Sequence, residues 1–237
     1  MSYLPWIADD YLHTAVHNLL NKAEQTLLAA ERNYHKNVVD PFSAVFQLGG
    51  YNLTFDEWLI SEKTRQAQKS LQNHIGDFHQ QVLGGVDGWE NMGTGQIVDL
   101  VNEERKVLAE VKNKHNTVTG GNLAGLYKQM DELVSPKNSN YRGYTAYYVT
   151  VIPKNPERFD IPFTPSDRSR GARCASNPLI RTIDGAGFYE MVTGHVAALS
   201  QLFHVLPTVI ADIKEQTFSD QDISSLDELF KMAYGRE

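Results

Sequence analysis

Apolar positions along this chain alternate between helical and strand periods, and each switch predicts an element. Over residues 8–36, Leu12, Val16, Leu19, Leu20, Leu27 and Leu28 recur at roughly helical spacing, which predicts a long helix. "DPFSAVFQLGGYN" interrupts that period with Pro41 and the Gly49–Gly50 pair and reads as a break. A second helix is expected over 54–83. Thr54 and Glu57 suit a capping box at its start, Leu71, Ile75, Phe78 and Val82 share a face, and Gly84–Gly85 close it.

Beyond the loop "DGWENMGTG" the period falls to two. "QIVDLV" (96–101) and "KVLAEVK" (106–112), joined by the polar turn "NEER", read as a hairpin, with "VDGWENM" (86–92) as the candidate for a third, neighbouring strand. Asn122 is placed to cap a helix whose stripe is Leu123, Leu126, Tyr127, Met130, Leu133 and Val134. "YTAYYVTVIP" (144–153) is the strongest strand pattern, closed by Pro153. Residues 154–184 carry little periodicity and read as a long irregular segment, of the kind that is usually functional or disordered. An apolar helix follows over 185–213 with a break expected at Pro207, then a short helix at 222–234. No repeat or linker divides the chain, so one mixed α/β domain is expected: N-terminal helices over 1–85, a core over 86–153, and a recognition loop with C-terminal helices over 154–237.

Composition narrows the class. No apolar run approaches the roughly 20 residues of a membrane span, and the N-terminus lacks the pattern of a signal peptide. The single Cys174 cannot form an internal disulfide, which fits a cytoplasmic protein, and one thiol excludes the cysteine-rich zinc centres. The net charge of −7 argues against a polyanionic partner until its distribution is seen. Between Asn102 and Arg181 there are 13 Lys and Arg against 8 Asp and Glu, while the remainder has 9 against 21. A basic middle suits a local phosphate-binding face; an uneven scatter of surface charge is the alternative.

The chemistry sits in "VNEERKVLAEVKNKHNT" (101–117). Strand alternation puts Glu110 and Lys112 on one face and Val107, Ala109 and Val111 on the other. Asp99 lies inside an apolar run, where an ionised carboxylate needs compensation. If the two strands pair, Asp99 and Glu110 come to the same end of adjacent strands, and a shared Mg²⁺ relieves their repulsion. Lys112 then stands where it can orient a nucleophile and offset charge on phosphate oxygens. The plain alternative is a surface salt bridge on a strand.

The set Asp99, Glu110, Lys112, with "EVKNKHNT" running into a helix and "IDGAGFYEMVTG" opening a later one, resembles the type II restriction endonucleases of the PD-(D/E)xK nuclease superfamily, nearest to the group that cuts GGNCC. Val98 stands where the superfamily name has proline. The resemblance covers roughly residues 62–205, with its strong motifs at 96–122 and 183–195. It implies a central mixed β-sheet flanked by helices. It also implies Mg²⁺ held by Asp99, Glu110 and the Val111 carbonyl, Lys112 as the catalytic lysine, and a further upstream side chain from Gln80, Gln81 or Glu62. The activity implied is hydrolysis of double-stranded DNA to 5′-phosphate ends by a homodimer, accompanied in the cell by a DNA methyltransferase of the same specificity. A structure-selective nuclease of the same fold and a non-catalytic DNA-binding relative are the rival readings.

DNA contacts are expected from the segment after the second strand: Asn113, Asn116 and Thr117 to bases or backbone, Lys114 to a phosphate, His115 to either. In "DRSRGARCASNPLIR", Arg168, Arg170 and Arg173, with Arg181 further on, suit bidentate contact with guanine, or form a solvated basic loop. His13 and His17 share a helix face but lack a third ligand nearby.

Overall fold

The structure is a computed structural model that describes residues 2–93 and 95–235. Its internal contacts divide the chain into two compact units, Met1–Val16 with Phe78–Glu237, and His17–Asp77.

The first unit is built on a six-stranded mixed sheet in the order β1-β2-β3-β4-β8-β5. The strands are β1 (Glu90–Asn91), β2 (Leu100–Asn102), β3 (Val107–Lys114), β4 (Thr145–Ile152), β5 (Asp160–Pro162) and β8 (Ile180–Asp184). Strands β1, β2 and β3 form an antiparallel meander; β3, β4 and β8 run parallel, and β5 returns antiparallel to β8. The expected neighbour strand within 86–92 is therefore present as β1. Helix α4 (Gly120–Val134) crosses from β3 to β4 and lays its stripe on one sheet face, where Leu126, Tyr127, Met130 and Val134 bury against Leu108, Ala146, Tyr148 and Ile180. The other face, with Ala109, Val111, Tyr147 and Val149 buried, meets α5 (Gly185–Thr193), whose Phe188 ring lies 6.2 Å from that of Tyr147. Gly185 is required there, because a Cβ would fall 2.3 Å from the Val151 carbonyl oxygen. Asp184, buried at the end of β8, caps α5 through Gly187 N–H (2.8 Å) and also accepts from Phe159 N–H (2.8 Å).

The second unit contains α2 (Pro41–Tyr51) and the adjoining stretches of α1 (Asp9–Asn33) and α3 (Phe55–Gly84). The capping box holds: Thr54 N–H donates to Glu57 Oε2 at 2.8 Å, and Glu57 N–H to Thr54 Oγ1 at 3.3 Å.

Several expectations need correction. Residues 41–51 are a helix, because Asp40 accepts from Phe42 and Ser43 N–H and Pro41 occupies the first helical position, where its missing N–H costs nothing. Helix α4 begins at Gly120 after Thr119, so Asn122 is inside it and is not its cap. Residues 154–184 are not irregular throughout: they hold β5, β8 and a hairpin of β6 (Ser166–Asp167) and β7 (Ala172–Arg173). The C-terminal apolar helix breaks at Gly194 (φ 72°), which caps α5, and α6 (Ala198–Lys214) runs through Pro207. Burial of Leu199, Leu202 and Val209 on either side of Pro207 outweighs one lost hydrogen bond. Helix α7 (Asp220–Tyr234) follows as expected. Among the described residues no single helix is long and apolar enough to cross a membrane.

Candidate active site

The β2–β3 hairpin is locked in one register: Leu100 opposite Ala109, Val101 opposite Leu108, Asn102 opposite Val107. Asp99 lies just before β2, where that regular register ends. Asp99 N–H donates to the Ala109 carbonyl at 2.8 Å, and its Oδ2 accepts from Val111 N–H at 2.7 Å. Its carboxylate is thus tied to the backbone between Glu110 and Lys112. On β3 the alternation is as expected. Lys112 Nζ lies 2.5 Å from Glu110 Oε1, with Glu110 only 12% exposed at the side chain. Asp99, Glu110 and Lys112 are brought to one place on one sheet face.

The electrostatics of this cluster follow from its burial. Desolvation, and then the charge of Asp99, push the Glu110 carboxyl up to about 7 against the pull of Lys112. Two close, half-buried carboxyls, one of them paired with Lys112, suit a hard dication bound by oxygen. Among the described residues no three His, Cys, Asp or Glu side chains gather as a metal centre. Two carboxylates and a backbone carbonyl are oxygen donors of the kind that a hard divalent cation takes.

Two residues at this face escape a reading of the sequence. Strand β4 pairs in parallel with β3, setting Tyr148 beside Glu110 and Thr150 beside Lys112. Both are buried, and the Tyr148 hydroxyl makes no hydrogen bond among the described residues. Burial raises its pKa, the Thr150 side chain beside it opposes that, and the charge of Glu110 adds to the rise. Of the upstream candidates, Gln80 and Gln81 are half-buried near the end of α3. Glu62, in the second unit, is occupied by Arg65 (2.6 and 2.7 Å) and Gln66 (2.9 Å).

A family model described as Eco47II restriction endonuclease matches residues 4–215. The chain is 51% identical over 240 residues to the type II restriction enzyme Eco47II of Escherichia coli, an alignment covering 99% of this chain and 100% of that enzyme. It is also 31% identical over 215 residues to the type II restriction enzyme Sau96I of Staphylococcus aureus, covering 89% of this chain and 80% of the relative. The chain belongs to the Eco47II restriction endonuclease family.

This member of the family is accordingly a site-specific deoxyribonuclease, and its expected DNA-contacting residues can be located. After β3 the chain turns, with His115 N–H donating to the Ile152 carbonyl (3.1 Å) and Thr117 Oγ1 to the Lys114 carbonyl (2.8 Å). His115, Asn116 and Thr117 are exposed on that turn, and Lys114 is half-buried on the Glu110 side of the strand. Asn113 lies apart, buried beside Val111 on the opposite face, with its Oδ1 making no hydrogen bond among the described residues.

Arg168, Arg170 and Arg173 are gathered on the β6–β7 hairpin, all exposed. Asp167 anchors it. Its carboxylate accepts from Ser169 N–H (3.0 Å) and Oγ (2.6 Å) and pairs with Lys128 of α4 at 2.8 Å. Those hydrogen bonds from Lys128 and Ser169 hold the Asp167 carboxyl well below the usual range. Gly171, at φ 62°, closes the turn. Arg181 does other work: it ties β8 to β5 through Asp160 Oδ1 at 2.7 Å and the Asp160 carbonyl at 2.8 Å. Of the paired histidines, His17 packs its ring nitrogen against Asn21 (3.3 Å).

Proposed function

We propose that this family member hydrolyses double-stranded DNA with Asp99, Glu110 and Lys112, that its cation is Mg²⁺, and that its site is of the GGNCC type. The observation that carries the reading is the convergence of the Asp99–Val111 hydrogen bond and the Glu110–Lys112 pair on one sheet face. Asp99 and Glu110, with the Val111 carbonyl, are the residues to hold the cation. When bound, such a cation offsets phosphate charge and makes water a stronger nucleophile.

The chain's own contribution is preorganisation. Asp99 is fixed by a backbone N–H, so its carboxylate does not reorganise as the reaction proceeds. The Lys112 ammonium, held against Glu110, orients the attacking water and offsets the charge that grows on the nonbridging oxygens. The new bond joins water oxygen to phosphorus, the bond to the 3′ oxygen breaks, and that oxygen takes a proton from solvent. A 5′-phosphate and a 3′-hydroxyl result.

Lys114 at the end of β3 and His115, Asn116 and Thr117 in the turn after it track the DNA, and the arginines of the β6–β7 hairpin read guanine. Asn113, buried on the opposite face of β3, is not part of this DNA-contacting set. A two-stranded ribbon is one of the shapes that the major groove admits. A palindromic site matches a homodimer. The working environment is a cytoplasm in which a methyltransferase protects the host's own sites. The test is digestion of a long duplex with Mg²⁺, followed by sequencing of the fragment ends. Ends confined to GGNCC with 5′-phosphates support the reading; random or fork-specific ends contradict it.

A further inference from the structure

Asp167 is one buried carboxylate with two cations in reach. Its Oδ1 is taken by Ser169 N–H and Oγ. Its Oδ2 faces Lys128 Nζ at 2.8 Å and Arg170 Nε at 3.8 Å. The nearer cation comes from α4; the farther one belongs to the ribbon itself, and its side chain is 74% exposed. A buried carboxylate is costly without a cation, so loss of the nearer partner favours capture of the farther one.

Lys128 stands on a polar side of α4 that is given over to this segment. Lys128, Asp131 and Ser135 follow at i, i+3 and i+7, beside the apolar stripe that packs on the sheet. Asn177 Nδ2 donates to Asp131 Oδ1 at 2.9 Å and to Ser135 Oγ at 3.1 Å. The hydroxyl of Tyr127 donates to the Ala175 carbonyl at 2.6 Å. Among the described residues neither β6 nor β7 pairs with a strand of the six-stranded sheet. These ties to α4 hold the ribbon at both of its ends, and α4 itself follows β3 after the turn at 115–119.

We infer that Lys128 is a positioning residue for specificity: by satisfying Asp167 from α4, it leaves Arg170 free for the DNA and holds the β6–β7 ribbon in place. The inference rests on the proposed reading of guanine by this ribbon. A guanidinium contacts guanine through a planar fork of N–H groups, and a carboxylate competes for the same groups. Lys128 removes that competitor.

The test is binding of the full chain to cognate and single-mismatch duplexes in Ca²⁺. Lys128→Met keeps the apolar stem and removes the ammonium. The Lys128 side chain is 45% exposed and the Tyr127 and Asn177 ties remain, so circular dichroism should be unchanged. Lys128→Gln serves as a second neutral variant. Either should lower the cognate-to-mismatch ratio by about tenfold, the scale of one base contact. Lys128→Arg should keep most of it. Arg170→Ala should lower the ratio in the wild-type background but not in the Lys128→Met background, where Asp167 already holds Arg170. Losses that simply add overturn the inference, as does a Lys128→Arg protein no better than Lys128→Met. A ratio that Arg170→Ala lowers and Lys128→Met does not also overturns it, and leaves the guanine reading standing. So does a ratio sensitive to Arg168 or Arg173 but not to Arg170. If no arginine of the ribbon affects the ratio, the guanine reading falls and the inference with it.

Discussion

Two hairpins carry the charged residues of interest, and they are built in opposite ways. In β2–β3 the charges are half-buried and braced against each other: Asp99 on Val111 N–H, Glu110 on Lys112. In β6–β7 the one buried charge, Asp167, is structural, and the arginines it supports stand in solvent. Chemistry needs groups held within a fraction of an ångström, whereas reading bases needs long side chains that settle on contact. The first hairpin should therefore fail all at once when a member is removed, and the second by degrees.

The largest effects are expected in the first hairpin. Asp99→Ala and Lys112→Ala should each lower the single-turnover cleavage rate by several orders of magnitude while leaving the circular dichroism spectrum unchanged. In the proposed role Lys112 acts on charge that exists only in the transition state, so binding of cognate duplex should survive its loss. A Lys112→Ala protein that cuts at a tenth of the wild-type rate would assign the chemistry elsewhere.

The second hairpin should show graded losses. Alanine at Arg168, Arg170 or Arg173 should, for at least one of the three, cost about 1–3 kcal/mol of discrimination between cognate and single-mismatch duplexes, measured by binding in Ca²⁺. If all three keep the wild-type ratio, guanine is read by another element. Asp167→Asn should act indirectly, loosening the ribbon and lowering discrimination while non-specific binding holds. Its folded pKa is depressed, so the Lys128 pair stabilises the hairpin above the ordinary carboxylate range. That support is lost as the pH falls through the depressed value. Protection of hairpin amides from hydrogen exchange, followed from neutral pH downward, reads this directly.

Smaller still are the effects expected at Lys114 and Tyr148. Lys114→Ala should weaken binding to every sequence alike and reduce the salt slope by about one charge. An altered cognate-to-mismatch ratio would make Lys114 a base reader. Tyr148→Phe removes a buried hydroxyl whose one polar neighbour is the Thr150 side chain, so thermal stability should change little. A loss of cleavage without loss of stability would show that the phenol serves the reaction.

The same contrast explains what could be read from the sequence. Alternation and a polar turn disclose the β2–β3 hairpin, and its antiparallel pairing brings Asp99, just before β2, against the backbone on either side of Glu110. The pairing of β3 with β4 spans a whole helix, so no local signal could place Tyr148 beside Glu110. The β6–β7 strands are two residues long, too short for any period, and long-range contacts such as the Asp167–Lys128 pair help define them. Helix α2 was hidden by Pro41 and its glycines, residues that break a helix interior yet are tolerated at its first and last turns. Strand β8 shows little alternation because Arg181 and Thr182 sit between its buried ends.

The central claim is that the face bearing Asp99, Glu110 and Lys112 is where DNA is cut. The most direct test is single-turnover cleavage of a cognate duplex by Glu110→Gln with Mg²⁺, because the amide keeps the shape and removes only the charge. No cleavage above background, with cognate binding and fold retained, is the expected result. Cleavage at the wild-type rate would contradict the account.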